Sequence, residues 1–595
     1  MRFLLFMIGG FIFLILSPFL FFFRTDVYQL EYLVAELILF GVLLTGWSVI
    51  EPSRRRFTVR MIDFAFLLCV GSLIFSMLRT DKGTIDFTGA MLCLGNVFLY
   101  FLYRNLLTGD NIKYFLLIFI SSVFAQLIFA YCRQYGGFNS YLNFRGNFFN
   151  SGLFAGYLSM GIVAVAGSIS LFPAASGPQR CWKWVYLLVP ALAIPMLVAL
   201  FYSQSRAALL ALAAGILFLL KDRLISLYKK MPNRFARWLS WSMALLLLVG
   251  VMAYLYSLRP DSANGRLLIW QAGWKMFCRC PFLGWGFDGF RRNYMFFQEK
   301  LLAESESTRF INLASDNGFA FNEFLKLGVE QGLTGVVAVL FILGLLFRRS
   351  RMVTYCPERL ALKSILLSLL VFGCFSYPSE AVPFQVVMVA GIAGLACISG
   401  TKSVFIYALG AKAARVLGLC LLLGGGVTGV HVWKLARTAA GYQNLIVRFS
   451  GKDEEFARLR SMYPLLNTTI DYLAFYGEEA NNYGRPEEAL EIFQQLEKCF
   501  PTAFQQRELG KAWEAMGDFE AAERAYLRAN GMIPLLIGPH YLLARLYERG
   551  HRYEKAYVQA RLVMEKKPKV YTPEVYYMKK EMKHKLHVWK SINEP

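Results

Sequence analysis

The chain has 595 residues, is 56% hydrophobic and carries a formal net charge of +23. That length allows several domains, and so high an apolar share excludes an ordinary soluble globule. The basic residues stand in short clusters between apolar runs, a topological pattern that argues against nucleic acid as a partner. The eleven cysteines show no metal-ligand spacing and no disulfide framework, so neither a metal nor a cofactor is expected.

The first apolar run covers residues 3–23, long enough to cross a bilayer. It lacks a small-residue cleavage site and reads as a retained helix, not a signal peptide. Further runs lie near 32–50, 61–78, 87–103, 114–131, 152–172, 184–202, 207–220 and 240–257. After a long polar interruption come runs near 331–347, 361–376, 383–399 and 414–432. The expected fold is therefore all-α, a polytopic membrane bundle of about 12–13 transmembrane helices followed by a helical repeat domain.

Charge orients the bundle. With a cytoplasmic N-terminus, the inner connections carry Arg54, Arg55, Arg56 and Arg60, then Lys221 to Arg237, then Arg348 to Lys363, while the outer ones are nearly bare. Parity then places the interruption and everything after the last run on the outer side, the periplasm of a Gram-negative cell. The expected domains are residues 1–435, a membrane domain with an outer loop at 257–330, and residues 436–595, a periplasmic repeat domain.

The interruption mixes Arg, Trp, Gly and carboxylates, and its many aromatics from Trp270 to Phe297 argue against disorder. Just before it, Arg206 stands at the outer lip of the eighth run with Ser203, Gln204 and Ser205. Snorkelling alone accounts for an arginine there, but the polar neighbours also suit a ligand. Arg266 opens an amphipathic stretch with Ile269, Trp270 and Trp274, a pattern that an interfacial helix also produces. The turn PFLGWGFDGF does not follow a strand, so a nucleotide-binding loop has little support.

After Trp433 the sequence becomes charged and repetitive. Gly484, Gly517 and Gly550 recur every 33 residues, and Ala489, Ala522 and Ala556 each precede a proline (Pro501, Pro534, Pro568) by 12. The period and these residues resemble tetratricopeptide repeats, which expose a concave face suited to a protein partner.

The order SRAALLALAAGI, RLLIWQAGWKMFCRCPFLGWGFDGFRRNY and FNEFLKLGVEQGLTG, preceded by FRGNFFNSGLFAGYLSM, resembles the O-antigen ligase and O-antigen polymerase family, which includes bacterial protein O-oligosaccharyltransferases. The resemblance covers about residues 140–400. It implies an inverting, metal-independent glycosyltransferase of the inner membrane, which takes a glycan from an undecaprenyl-diphosphate carrier at the periplasmic face. On that resemblance Arg206 and Arg266 bind the diphosphate, with Arg145 as a third candidate. The acceptor is expected to be lipid A core, with a growing glycan or a protein hydroxyl as alternatives. A reading of another class is a non-catalytic membrane scaffold that recruits partners through the repeats. Ligases of the family carry a histidine immediately before the asparagine of FNEFL, where this chain has Phe321. The five histidines all lie from His431 onward, so Asp316, Asn322 and Glu323 are the nearest polar candidates for proton transfer.

Overall fold

The computed structural model describes residues 56–85, 87–109, 111–135, 144–169, 181–304, 308–348, 356–398, 403–408, 411–568 and 571–593. The apolar runs at 3–23 and 32–50 lie outside the described residues. Each later run is a helix: Met61–Leu78, Phe87–Leu106, Ile112–Tyr135, Ser151–Ile169, Cys181–Ser203, Arg206–Leu219, Arg234–Leu258, Glu323–Phe347, Pro357–Gly373, Val382–Ile398 and Ala411–Ile446. Among the described residues six helices are long and apolar enough to cross a membrane, and three shorter apolar helices accompany them.

Small residues let the bundle close. A Cβ added at Gly161 would lie 2.6 Å from Val123 Cγ1, and one at Gly215 2.5 Å from Val163 Cγ2. Close backbone approach of this kind drives helix association in lipid, where there is no hydrophobic gain between helices. By contrast Leu245 to Leu248 on the helix Arg234–Leu258 are all exposed, a surface that suits lipid and not water.

At one end of the bundle Arg56–Arg60 pairs antiparallel with Ser403–Ala408, setting Phe57 opposite Tyr407 and Val59 opposite Phe405. The periodicity of the sequence does not reveal this short ribbon, which leaves the all-α class unchanged. Beside it Asp63, 3% exposed, pairs with Arg104 at 2.9 Å and accepts the Tyr100 hydroxyl. A carboxylate is tolerated in so apolar a helix when its lone pairs are filled in this way.

The polar interruption at the other end is largely helical. It folds as Pro260–Arg279, Gly289–Glu304 and Thr308–Leu313, and the helix Glu323–Phe347 begins eight residues before the apolar run expected at 331–347. Leu268, Ala272 and Met276 recur at helical spacing and are buried together with Phe290, Tyr294 and Met295, so an amphipathic stripe orders what composition alone reads as a loop.

The helix Glu323–Phe347 is broken at Gly332, whose φ is +66°. The glycine-rich turn fills the gap. Trp285 N donates to Val329 O at 2.8 Å, Gly286 N to Glu330 O at 3.0 Å, and Leu333 N to Pro281 O at 2.8 Å. Backbone groups that a broken helix leaves unpaired are thus satisfied from outside it.

The helix Ala411–Ile446 has 36 residues, about 54 Å at 1.5 Å per residue. Its last turns carry Leu435, Ala439 and Tyr442 into a core with Phe456, Leu459 and Tyr472. Helices Asp453–Leu466, Ile470–Asn482, Pro486–Cys499, Ala503–Ala515, Phe519–Met532, Ile537–Arg549, Tyr553–Glu565 and Pro573–Asn593 follow, with consecutive members packed on one another. Ala489, Ala522 and Ala556 are fully buried. Gly484 and Gly517 take the left-handed φ of the turns, at 72° and 86°, but in the third turn that conformation falls on His551 (54°) and not on Gly550. The array packs on the interruption: Ala503, Ala529, Met532 and Ile533 share a core with Leu268, Phe290, Tyr294, Ala314 and Ala320.

Candidate functional site

Arg206 opens the helix Arg206–Leu219 two residues after Gln204, whose φ of +51° turns the chain sharply between two apolar helices. Gln204 Oε1 accepts from Arg259 Nη2 at 2.6 Å, and Arg206 Nη1 donates to Arg259 O at 3.2 Å. These bonds tie the lip of one helix to the start of Pro260–Arg279. Two turns along, Arg266 faces the same region. Burial, and then the Arg206 charge, pull the Arg266 guanidinium below its ordinary pKa, and the groups opposing or reinforcing that shift are Arg206 and Tyr377, with no carboxylate among them. Two guanidinium groups far apart in sequence are thereby brought within electrostatic reach at a helix N-terminus, an arrangement that favours an anion.

An aromatic wall supports the pair. The Arg266 Cζ lies 5.3 Å from the Phe321 ring centroid, within cation–π range. Phe321 has a φ of +49° and meets the Tyr377 ring edge-on at 4.9 Å, while Phe319 stacks on Tyr377 at 4.4 Å. Asn150 Nδ2 donates to the Tyr377 hydroxyl at 2.9 Å, and burial pushes that phenol up to about 12. Arg145 donates to Phe149 O at 2.9 Å, and Phe149 stacks on Phe319. Its buried Nε has no partner among the described residues. Arg145 therefore adjoins the wall through Phe149. Phe321 is thus an aromatic platform for Arg266.

The three polar candidates of the interruption separate. Asn322 caps the helix Glu323–Phe347, its Oδ1 accepting from Phe324 N and Leu325 N, each at 3.0 Å. Asp316 Oδ1 accepts from Ala503 N at 2.8 Å and so faces the C-terminal array. Glu323 shares a narrow cleft with Phe319, Phe321, Lys326, Tyr377 and Glu380. Its two oxygens accept from Ser379 N and Ser379 Oγ, both at 2.8 Å.

Below Glu323 lies a charge cluster that sequence reading missed. Lys326 Nζ pairs with Glu380 Oε1, and Arg291 lies 3.4 Å from Glu380 Oε2 and 3.5 Å from Asp288 Oδ2. Against a burial penalty that would raise it, Lys326 and Arg291 hold the Glu380 carboxyl below its ordinary range. Burial raises Asp288, against the pull of Arg291 and Lys326. The signal for Glu380 is present in the sequence: YPSE (Tyr377–Glu380) is a short polar turn between two apolar runs, on the same end of the bundle as the interruption. Nothing in its spacing names its partners, 54 and 89 residues away.

Arg206, Arg266, Asn322 and Glu323 all fall within one segment of recognisable ancestry. Residues 191–340 match the O-antigen ligase family model. The match covers about a quarter of the chain and supports a membrane O-antigen ligase or a related glycan-transfer function, in a multi-pass bacterial membrane protein. Arg145, Tyr377 and Glu380 lie outside the matched segment and join it only through the fold. No curated protein matches the chain significantly.

Proposed function

We propose that this protein is an inverting glycosyltransferase that moves a glycan from undecaprenyl diphosphate to a hydroxyl of lipid A core at the periplasmic face of the inner membrane. The observation that carries the reading is the Arg206–Arg266 pair, set at a helix N-terminus inside the segment that matches O-antigen ligases. In the reaction the acceptor oxygen attacks the anomeric carbon and the bond from that carbon to the diphosphate oxygen breaks. Negative charge grows on the departing diphosphate, and guanidinium donors that strengthen their hold as it grows lower the barrier. Arg145, with its unpartnered buried Nε, is the third donor.

The acceptor must also lose a proton. Of the two carboxylates that line the cleft, Glu323 and Glu380, Glu380 is engaged by Lys326 and Arg291, while Glu323 is oriented by the Ser379 bonds, so we assign Glu323 the proton-accepting role. The tetratricopeptide-like array lies on the same periplasmic side in this reading. A growing glycan is the second acceptor class in this reading, and a protein hydroxyl the third.

In a deletion strain complemented with variants, Arg206→Ala and Arg266→Ala abolish surface glycan attachment while the protein is still inserted and expressed, and free lipid-linked glycan accumulates. Normal attachment in both variants defeats the reading. Which acceptor loses its decoration in the deletion strain distinguishes lipid A core from protein.

A further inference from the structure

We propose that the C-terminal helical array is a structural wall of the transfer site, and that Asp316 and Gln298 are the positioning residues through which it fixes the segment that carries Phe319 and Phe321. This rests on the transferase reading for its consequence, but not for its geometry.

Residues 314–322 are non-helical, between Thr308–Leu313 and Glu323–Phe347. One side of this segment builds the cleft: Phe321 lies under Arg266, Phe319 stacks on Tyr377, and Ala320 O accepts from Trp270 Nε1 at 3.1 Å. Its other side is held by the array. Asp316 Oδ1 accepts from Ala503 N at 2.8 Å, the first residue of the helix Ala503–Ala515, with the Phe504 N–H and the Arg507 charge directed at the same carboxylate. That helix already has a cap of its own in Thr502, whose Oγ1 accepts from Gln505 N at 3.0 Å. Asp316 supplies acceptors for the N–H groups that Thr502 leaves, and places an anion at the positive end of the helix.

Gln298 makes a second fastening. It is 1% exposed, and its Nε2 donates both to Ser315 O at 3.3 Å and to Met532 O at 2.9 Å. Its Oε1 accepts the Tyr294 hydroxyl at 2.7 Å. One buried amide thus joins the segment, the helix Gly289–Glu304 and the array. Two residues past Asp316, a Cβ at Gly318 would lie 3.3 Å from Phe500 Cε2 and 3.3 Å from Arg291 Cγ. Asp316 and Phe321 are separated by four residues of non-helical chain, too few to absorb a displacement at one end before it reaches the other. A short span held on both faces transmits the position of the array to the aromatic platform beneath Arg266. Misplacement by about 1 Å can cost on the order of a hundredfold in rate.

The test uses the full-length protein in detergent, with undecaprenyl-diphosphate-linked glycan extracted from the host strain as donor and lipid A core as acceptor. Hydrogen exchange over residues 314–322 is followed in parallel. Asp316→Ala and Gln298→Ala are expected to speed exchange in that segment and to lower kcat about tenfold or more, with donor KM within about twofold. Asp316→Asn, which keeps an acceptor for Ala503 N, should recover most of both. Arg524→Ala, at an exposed pair 4.0 Å from Glu520 on the array, should change neither. Unaltered exchange in Asp316→Ala overturns the coupling whatever the activity. Faster exchange with unaltered kcat overturns its bearing on transfer. Retained transfer in Arg206→Ala and Arg266→Ala instead overturns the assigned diphosphate site, absence of transfer by the unaltered protein overturns the assigned reaction, and in either case the exchange measurement still decides the coupling.

Discussion

Among the described residues Arg266 is held by an aromatic ring and not by a carboxylate, and this distinction governs what its replacement should do. Lysine keeps the charge but loses the planar fork that grips two phosphate oxygens and the flat face that lies on Phe321. Arg266→Lys is therefore expected to lower kcat/KM by at least about tenfold, measured as initial transfer rates over a range of donor concentration. Glu323→Gln keeps the shape of the side chain and one acceptor for Ser379, so stability should hold while turnover falls. Unchanged turnover removes Glu323 as the proton acceptor. Lys326→Met should be the least stable of these variants. It leaves Glu380 with Arg291, and Asp288 with Arg291 and Arg292, as the remaining nearby cations, a loss on the order of 3 kcal/mol for a broken, largely covered pair. Adding Glu380→Gln should recover part of the melting temperature, because the second change removes the uncompensated charge.

At the scale of elements, the decisive feature is the break at Gly332 and the turn that fills it. A methyl group at Gly332 would lie 2.4 Å from the Phe282 carbonyl, and one at Gly284 2.5 Å from the Glu330 carbonyl. Both glycines have positive φ, so backbone strain and steric overlap act together. Gly332→Ala and Gly284→Ala are each expected to cost about 2 kcal/mol or more and to lower the thermal midpoint in detergent. Gly484→Ala tests the distinction: its φ is also positive, but no atom lies within 4 Å of the added Cβ, so its cost should stay near 1 kcal/mol. Equal losses at all three sites would assign the effect to φ alone and remove the close approach of the turn from the account.

At the scale of the molecule, the long helix Ala411–Ile446 and the seam at Asp316 hold the array at two places, so the stability of the array bears on the site. His540 makes that stability depend on pH. It is 7% exposed, its Nδ1 lies 2.7 Å from Gln559 Oε1, and its Nε2 has no partner among the described residues. Burial pushes its pKa down to about 4, from an ordinary value of about 6.5. The folded form is the neutral one, while the unfolded chain takes up a proton at higher pH. Stability is thus fully present above about pH 6.5, declines as pH falls towards 4, and loses at most about 3 kcal/mol through this group. Unfolding of His540→Gln should lose that part of the pH dependence between 4 and 6.5, and an unchanged slope assigns it elsewhere.

The fold class and the place of the site were legible from the chain because both rest on local properties. Apolar runs of spanning length predict helices wherever the described residues cover them, since a bilayer forces each crossing to satisfy its own backbone. Arg206 stands out because the short outer connections hold few cations, and Arg266 because it opens an amphipathic stretch. The 33-residue period likewise announces stacked helices without any tertiary information. What the sequence could not supply was every relation across distance: the Phe321 platform, the Lys326–Glu380–Arg291 cluster, the ribbon at Arg56–Arg60, and the grip of the array on Asp316. Those contacts join residues from 54 to several hundred positions apart, and no periodicity records them. Local pattern determined which residues carry charge at the membrane edge, and only the packing of helices decided which of them meet.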